Sequence, residues 1–312
     1  MTEPRRALVT GVSGFAGRHL ARRLLADGWH VAGTVHRRSS GVDGVAEYPV
    51  EIDDVAALRS LVEAERPSHL FHLAAIVDTV TTPDVLALYR TNTLGTAAVL
   101  QAATDVGCVE RVLVTSSAFA YGRPPADGRP VREDDALVPL TSYGSSKVAA
   151  EAIALQWSRA SGVDLVVTRA FQHTGPGHVG AYALSDWARQ LAAGATEVHV
   201  GNLDVARDYL DVRDVASAYS TVMELGRPGA VYNVASGVPV TMRALLEGLI
   251  EAFGGTARIV VDPDRVRAVD VPVFVADVTR LREDTGWRPT FTLPQTMADL
   301  AAWYRAAGPG RP

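Results

Sequence analysis

From Arg6 to Phe171 the chain alternates short apolar runs with longer amphipathic ones, and this beat constrains the fold more than any other feature. RALVTGV, HVAGTVH, HLFHLAA, RVLVTSS and DLVVTRAF read as strands. AGRHLARRLLADG, VAALRSLVEAER, DVLALYRTNTLGTAAVLQAATDVG and SYGSSKVAAEAIALQWSRASG read as helices, the first ended by Gly28 and the second stopped before Pro67. Serial alternation predicts a parallel sheet covered on both faces. The strands are continuous Val, Leu and Ala runs, as burial of both faces requires. After Phe171 the rhythm loosens. HTGPGHVGAY reads as glycine-rich loop, and helices are expected in ALSDWARQLAAG, RDYLDVRDVASAYSTVMELG, MRALLEGLIEAFGG and PQTMADLAAWYRA. TEVHVGN, AVYNVASG and ARIVVDP read as strands. The expected architecture is α/β: a doubly wound parallel sheet over residues 1–172, then a smaller C-terminal α/β domain over 173–312 that binds something other than the first domain's ligand. Segments near 208–237 could return to the first sheet.

Composition narrows the function classes. Lys and Arg total 30 against 35 Asp and Glu, so the formal charge is -5 and a basic nucleic-acid groove is not indicated. A single cysteine, Cys108, rules out an intrachain disulfide and a cysteine-rich metal site. The start, MTEPRRALVTG, has no signal-peptide core, and no apolar run approaches the ~20 residues that span a membrane, so a reducing cytoplasm is the expected location. Among the eight histidines no pair has the helical H-E-x-x-H spacing, and no metal is expected. His72, ending a buried strand, reads as packing.

The first strand runs into TGVSGFAG, which places Gly11, Gly14 and Gly17 at G-x-x-G-x-x-G spacing. Gly11 permits the tight turn, Gly14 lets a phosphate approach the backbone, and Gly17 lets helix pack on strand; helix N-terminal amides then face a pyrophosphate. In the first strand-turn-helix unit of a serial α/β pattern, this points to a Rossmann dinucleotide site rather than a plain turn. After the second strand, where an acid would bond the ribose of NAD, stand His36, Arg37 and Arg38. Guanidinium groups suit a 2'-phosphate, so NADP(H) is expected, with Arg37 the better candidate. Solvated surface arginines are the alternative. Tyr143 and Lys147, four residues apart, share one face of a predicted helix; alone, the pair fits a solvated surface as well as chemistry.

In order along the chain, the glycine loop, HLAA, SSAFAYG and YGSSK resemble those of an extended short-chain dehydrogenase/reductase, of the NAD(P)-dependent nucleotide-sugar epimerase/dehydratase family. FQHTGPGH, VGNLDVARDYLDVRDV and VRAVDVPVFVADVTRL are most similar to the GDP-4-keto-6-deoxy-mannose reductases and GDP-mannose 4,6-dehydratases. The resemblance implies a catalytic set of Ser117, Tyr143 and Lys147. Lys147 would stabilise the Tyr143 phenolate, whose free pKa is near ~10, and hold the nicotinamide ribose. It also places Ser13, Phe15 and Ala16 of the glycine loop, Leu73, Ala74 and Ala75 after the third strand, Thr115, and the adenine-side pair Glu51 and Ile52 against the cofactor. On the substrate side it implies Ser117, Phe119, Gln172 (where the family commonly has Asn), His173, Arg207, Arg267 and Asp270. A homodimer is implied, pairing the helix near 84–104 with the helix after Tyr143; packing within one subunit is the alternative.

Family dehydratases place an acid-base pair directly after the serine position. Here Ala118 and Phe119 stand there, and neither transfers a proton. Family epimerase-reductases place a cysteine where Phe119 stands. The expectation is therefore an NADPH-dependent 4-ketoreductase of a nucleotide-diphospho-4-keto-6-deoxyhexose, GDP-sugar favoured. A 4-epimerase with recycled cofactor, and a catalytically silent NADP-binding regulator, remain as alternatives.

Overall fold

The structure, a computed structural model, describes residues 5–77, 84–266 and 271–307. The first half runs β1 (Arg6–Thr10), α1 (Phe15–Ala26), β2 (His30–Val35), β3 (Val45–Pro49), α2 (Val55–Glu65), β4 (His69–His72), α3 (Val85–Tyr89), a π-helical turn (Arg90–Leu94), α4 (Gly95–Val106), β5 (Arg111–Ser117), α5 (Ser142–Ser161) and β6 (Asp164–Ala170). The second half runs β7 (Gln172–Thr174), α6 (Ala183–Ala192), β8 (Glu197–Val200), β9 (Ala206–Asp211), α7 (Val212–Leu225), β10 (Val231–Val234), β11 (Pro239–Thr241), α8 (Met242–Ala252), β12 (Arg258–Val261), β13 (Val273–Phe274), α9 (Thr279–Thr285) and α10 (Leu293–Ala307).

Seven strands form one parallel sheet in the order β10-β6-β5-β4-β1-β2-β3. Chain order reverses between β1 and β4, so a crevice opens at their carboxyl ends, where doubly wound sheets bind ligands. Alternate residues of one strand go to opposite cores. Leu8 joins Leu58, Leu61, Val99 and Ala154 under α2, α4 and α5; Val9 joins Leu20, Leu24, Val215 and Val222 under α1 and α7. The uninterrupted apolar runs follow from this double burial.

Caps set the helix ends. Asp54 accepts from the Ala57 amide at the start of α2, and Arg66 turns left-handed (φ 48°) after its last residue, just before Pro67. Thr141 accepts from the Gly144 amide at the start of α5, at 3.0 Å. The long helix read at 84–107 is one path with a π turn at Arg90–Leu94.

Segment 208–237 divides its contacts. α7 packs beside α1, and β10 becomes the seventh strand against β6, with Asn233 opposite Arg169. The other later strands form a small sheet in which β9 pairs with β7, β11 and β13, and a separate β8–β12 pair. Leu184, Trp187, Leu246, Leu249, Met297 and Leu300 make the core under α6, α8 and α10. One reading is corrected and one is completed. His173 and Thr174, read as loop, belong to strand β7, and the segment RDYLDVRDVASAYSTVMELG, expected to contain a helix, holds α7 after the end of strand β9, which no strand reading anticipated. A three-residue strand carries no period of its own, and it exists because β9 lies alongside to pair with it.

Candidate active site

The glycine loop closes against the end of β4. Gly11 has φ 69°, and a Cβ there would stand 2.8 Å from the Ala74 Cα. Gly17 is buried against the Gly11 carbonyl, while Gly14, exposed at the N-cap of α1, meets only the Gly11 oxygen, at 3.1 Å. Close packing on one side and an open, amide-bearing edge on the other fit a pyrophosphate on the α1 N-terminus. Leu73, Ala74 and Ala75 line the half-buried shelf beside it.

A buried polar chain holds that shelf. Thr10 Oγ1 accepts from the Leu73 and Ala74 amides and lies 2.8 Å from His72 Nδ1. His72 Nε2 lies 3.0 Å from Thr96 Oγ1, which donates to the Asn92 carbonyl at 2.7 Å. Thr96 has spent its proton, so His72 donates from Nε2 and accepts at Nδ1 from Thr10. Burial pushes His72 down to about 3, so it is neutral at physiological pH. The Asn92 amide then donates to Ile76 O and to Ser146 Oγ at 2.9 Å, and Ser146 donates to the Tyr143 carbonyl at 2.7 Å. Asn92 reaches them from the π turn. The reading of His72 as packing is refined: it links β1 to α5 through hydrogen bonds.

Ser117 ends β5, and its hydroxyl accepts from the Phe119 amide at 3.2 Å. Tyr143 and Lys147 lie in the first turns of α5, both buried. Lys147 Nζ donates to the Thr115 carbonyl at 2.8 Å, and Thr115 Oγ1 donates to the His72 carbonyl at 3.0 Å. Ala118 is buried, and Phe119 lies edge-on to Tyr143, with ring centroids 5.9 Å apart. Burial pushes Tyr143 up to about 12; the Ser117 hydrogen bond opposes this and the nearby Tyr182 phenol adds to it. Burial pulls Lys147 itself down to about 8, against the raising field of Glu151. Tyr143 is therefore a neutral proton donor.

Around the crevice, Phe15 stacks on His173 (5.8 Å, 7°) and on His178 (4.8 Å, 17°), and His178 stacks on Tyr182 (5.1 Å). This stack joins the glycine loop to the segment after β7. His173 donates from Nδ1 to the Phe171 carbonyl at 2.9 Å, since a carbonyl only accepts. The Gln172 carboxamide oxygen is buried without a partner among the described residues, an acceptor a ligand donor would satisfy. His36, Arg37 and Arg38 are exposed after β2; His36 pairs with Glu51 at 3.0 Å, and Ile52 packs under Gly95. Ser13 and Ala16 are half-buried in the glycine loop, where the Ser13 carbonyl accepts from Arg18 Nε at 2.8 Å. Burial and the charges of Arg22 and Arg38 push Arg18 down, which marks a cluster of cations an anion would relieve. Arg207 donates to the Ala206 and Val271 carbonyls. Arg267 and Asp270 lie outside the described residues.

Sequence reading missed Arg18, Asn92, Glu151, Arg169 and Tyr182. For Tyr143 and Lys147 it missed a signal present in the sequence: of 30 Lys and Arg residues, Lys147 is the only lysine.

Residues 8–300 match the family profile described as GDP-mannose 4,6 dehydratase. The chain belongs to that family. It is 34% identical over 307 residues to the GDP-6-deoxy-D-mannose reductase of Pseudomonas aeruginosa, covering 96% of this chain and 97% of the relative. The structure of RMD from Pseudomonas aeruginosa complexed with NADPH superposes with a TM-score of 0.84 at 32% identity, covering 97% of this chain and 99% of that one. UDP-glucose 4-epimerase with UDP-glucose from Thermotoga maritima superposes with a TM-score of 0.89 at 26% identity, over 97% and 99%. The chain is thus an NAD(P)-dependent enzyme of the extended short-chain dehydrogenase/reductase type, acting on a nucleotide sugar. No helix among the described residues is long and apolar enough to cross a membrane.

Proposed function

We propose that the protein is an NADPH-dependent 4-ketoreductase of a nucleotide-diphospho-4-keto-6-deoxyhexose, with a GDP-sugar favoured. The observation that carries this is the apolar pair Ala118–Phe119 beside an otherwise complete Ser117, Tyr143 and Lys147 set. The site holds a proton donor for a ketone and has no carboxylate after Ser117 to pull a proton from carbon. A 4,6-dehydration therefore lacks its base.

Gly11, Gly14, Gly17 and the amides of Phe15 and Ala16 would hold the cofactor pyrophosphate, and Arg37 and Arg38, with Arg18 behind them, the 2'-phosphate. When bound, the dihydronicotinamide supplies the hydride. Ser117 orients the sugar carbonyl by donating to its oxygen. Tyr143 delivers its phenolic proton to that oxygen, and the Lys147 ammonium then stabilises the phenolate left behind. A neutral, buried tyrosine suits this direction: the proton is in place before the ketone arrives. Gln172, His173, Arg207, Arg267 and Asp270 would hold the nucleotide sugar in the lobe after residue 172, leaving residues 1–172, with α7 and β10 added, for the cofactor. The reductase relative and the NADPH-bound neighbour support this reading.

A 4-epimerase with recycled cofactor is the second reading, favoured by the epimerase neighbour. Stoichiometry separates the two. NADPH absorbance followed with a panel of GDP-, dTDP- and UDP-4-keto-6-deoxy sugars should fall one for one with product in a reductase. Sugar interconversion without net NADPH loss would establish the epimerase. Exposed Leu86 and Leu94 on the helical path of α3 and α4 support a homodimer through that face and α5. A monomer by light scattering would remove that part of the reading.

A further inference from the structure

We propose that Glu151, clamped by Arg169, is a positioning residue that keeps Lys147 in its ammonium form, and so sets the pH range over which Tyr143 delivers a proton. The part concerning Tyr143 rests on the ketoreductase reading; the part concerning Lys147 does not.

Glu151 follows Lys147 by one turn on the same face of α5. It is 2% exposed, and Lys147 is 4% exposed. An ammonium in such surroundings loses its proton readily unless an anion lies close. Glu151 is the group that raises Lys147 against burial. Its carboxylate needs its own compensation, which β6 provides. Arg169 Nε donates to Glu151 Oε1 at 3.0 Å and Oε2 at 3.1 Å, and Nη2 donates to Oε2 at 2.7 Å. The other guanidinium nitrogen, Nη1, donates to Tyr121 OH and the Glu133 carbonyl, both at 2.9 Å. Tyr121 OH in turn donates to Asn233 Oδ1 at 2.7 Å. Every arm of Arg169 is committed, so the carboxylate is fixed from β6 and β10 rather than by α5 alone.

The remaining titratable or charged neighbours do not substitute for Glu151. His72 on β4 is neutral, and Tyr143 on α5 is pushed up. Tyr219 on α7 and Tyr121 after β5 are held neutral by burial. Tyr182, before α6, bears on Tyr143. Glu133 faces Arg280 on α9 and is itself pushed up by burial. The other 29 basic residues of the chain are arginines, whose charge does not titrate in the working range. Lys147 is the one basic side chain here whose charge a neighbouring carboxylate can set.

A single lysine makes the test direct. Protein labelled with 13C at lysine Cε gives one resonance, and its pH titration reads Lys147 alone. Glu151→Gln should lower the midpoint by about one pH unit, a tenfold loss of proton affinity. Glu151→Asp should stay within about 0.3 unit of wild type. Glu151→Leu with Arg169→Met removes both buried charges together and protects folding; its midpoint should also fall. The alkaline limb of NADPH-dependent ketone reduction should move down in step, with KM for the sugar little changed. An unshifted midpoint in Glu151→Gln, or a wild-type midpoint in the double variant, would overturn the proposal; the second outcome would trace the effect to an uncompensated Arg169. A lowered Lys147 midpoint in Glu151→Gln, together with a wild-type protein that reduces no keto-sugar, would refute the ketoreductase reading and leave the Glu151–Lys147 coupling standing.

Discussion

Around the crevice, buried polar side chains bond one another: Thr10, His72, Thr96, Asn92 and Ser146 in one chain, Arg169, Glu151 and Tyr121 in another. In the lobe built on β9, buried carboxylates mostly bond backbone. Asp208 accepts from Ser236 N, Ser236 Oγ, Gly237 N and Ala276 N, and Asp214 from Thr290 N, Thr290 Oγ1 and Phe291 N. Asp211, between them, caps α7 and accepts from Arg213 and Thr296. The first arrangement fixes side chains on strand ends and helix turns that the sheet already positions. The second ties loops that have no sheet to hold them. Asp208, Asp211 and Asp214, three apart in RDYLDVRDV, serve as staples.

The contrast can be broken most severely at Tyr143. Tyr143→Phe should cut NADPH-dependent ketone reduction by roughly 10²–10⁴-fold and leave the melting temperature and NADPH binding near wild type. Unchanged turnover would remove Tyr143 from the chemistry. Asp208→Ala should do the reverse, costing about 3 kcal/mol or more in urea unfolding because several buried donors lose their acceptor together. A variant as stable as wild type would show that the staple is ornamental.

A smaller effect is expected at Arg37 and Arg38. Replacing both by Ala should weaken NADPH relative to NADH by roughly tenfold or more, measured as the ratio of kcat/KM values. No change in that ratio would place the 2'-phosphate elsewhere. The smallest effect concerns acid. His72 and His178 are held at about 3, below their unfolded value, so the unfolded chain binds more protons between about pH 3 and 6.5. Stability is full above that window and is lost as pH falls through it. His178→Gln should remove at most one proton from this slope, about 1.4 kcal/mol per pH unit, in urea melts at pH 4.5–6.5. His72→Gln should remove a similar slope and also lower stability at pH 7, because it cuts the chain from Thr10 to Asn92.

The glycine loop, the strand-helix beat and the Tyr143–Lys147 spacing were legible in the sequence because each is local. Apolar period reports how many faces an element buries, and one helical turn separates residues four apart whatever surrounds them. β7, β9, β11 and β13 were not legible, since strands this short exist only where a distant segment offers hydrogen bonds. Proton affinity was not legible either. The sequence supplied the phenol and the ammonium; burial, which depends on everything packed around them, decided that Tyr143 is neutral and that Lys147 needs help to keep its charge. Glu151 and Arg169 are 18 residues apart on different elements. Only the closed sheet, which lays β6 beside α5, makes them the pair standing behind Lys147.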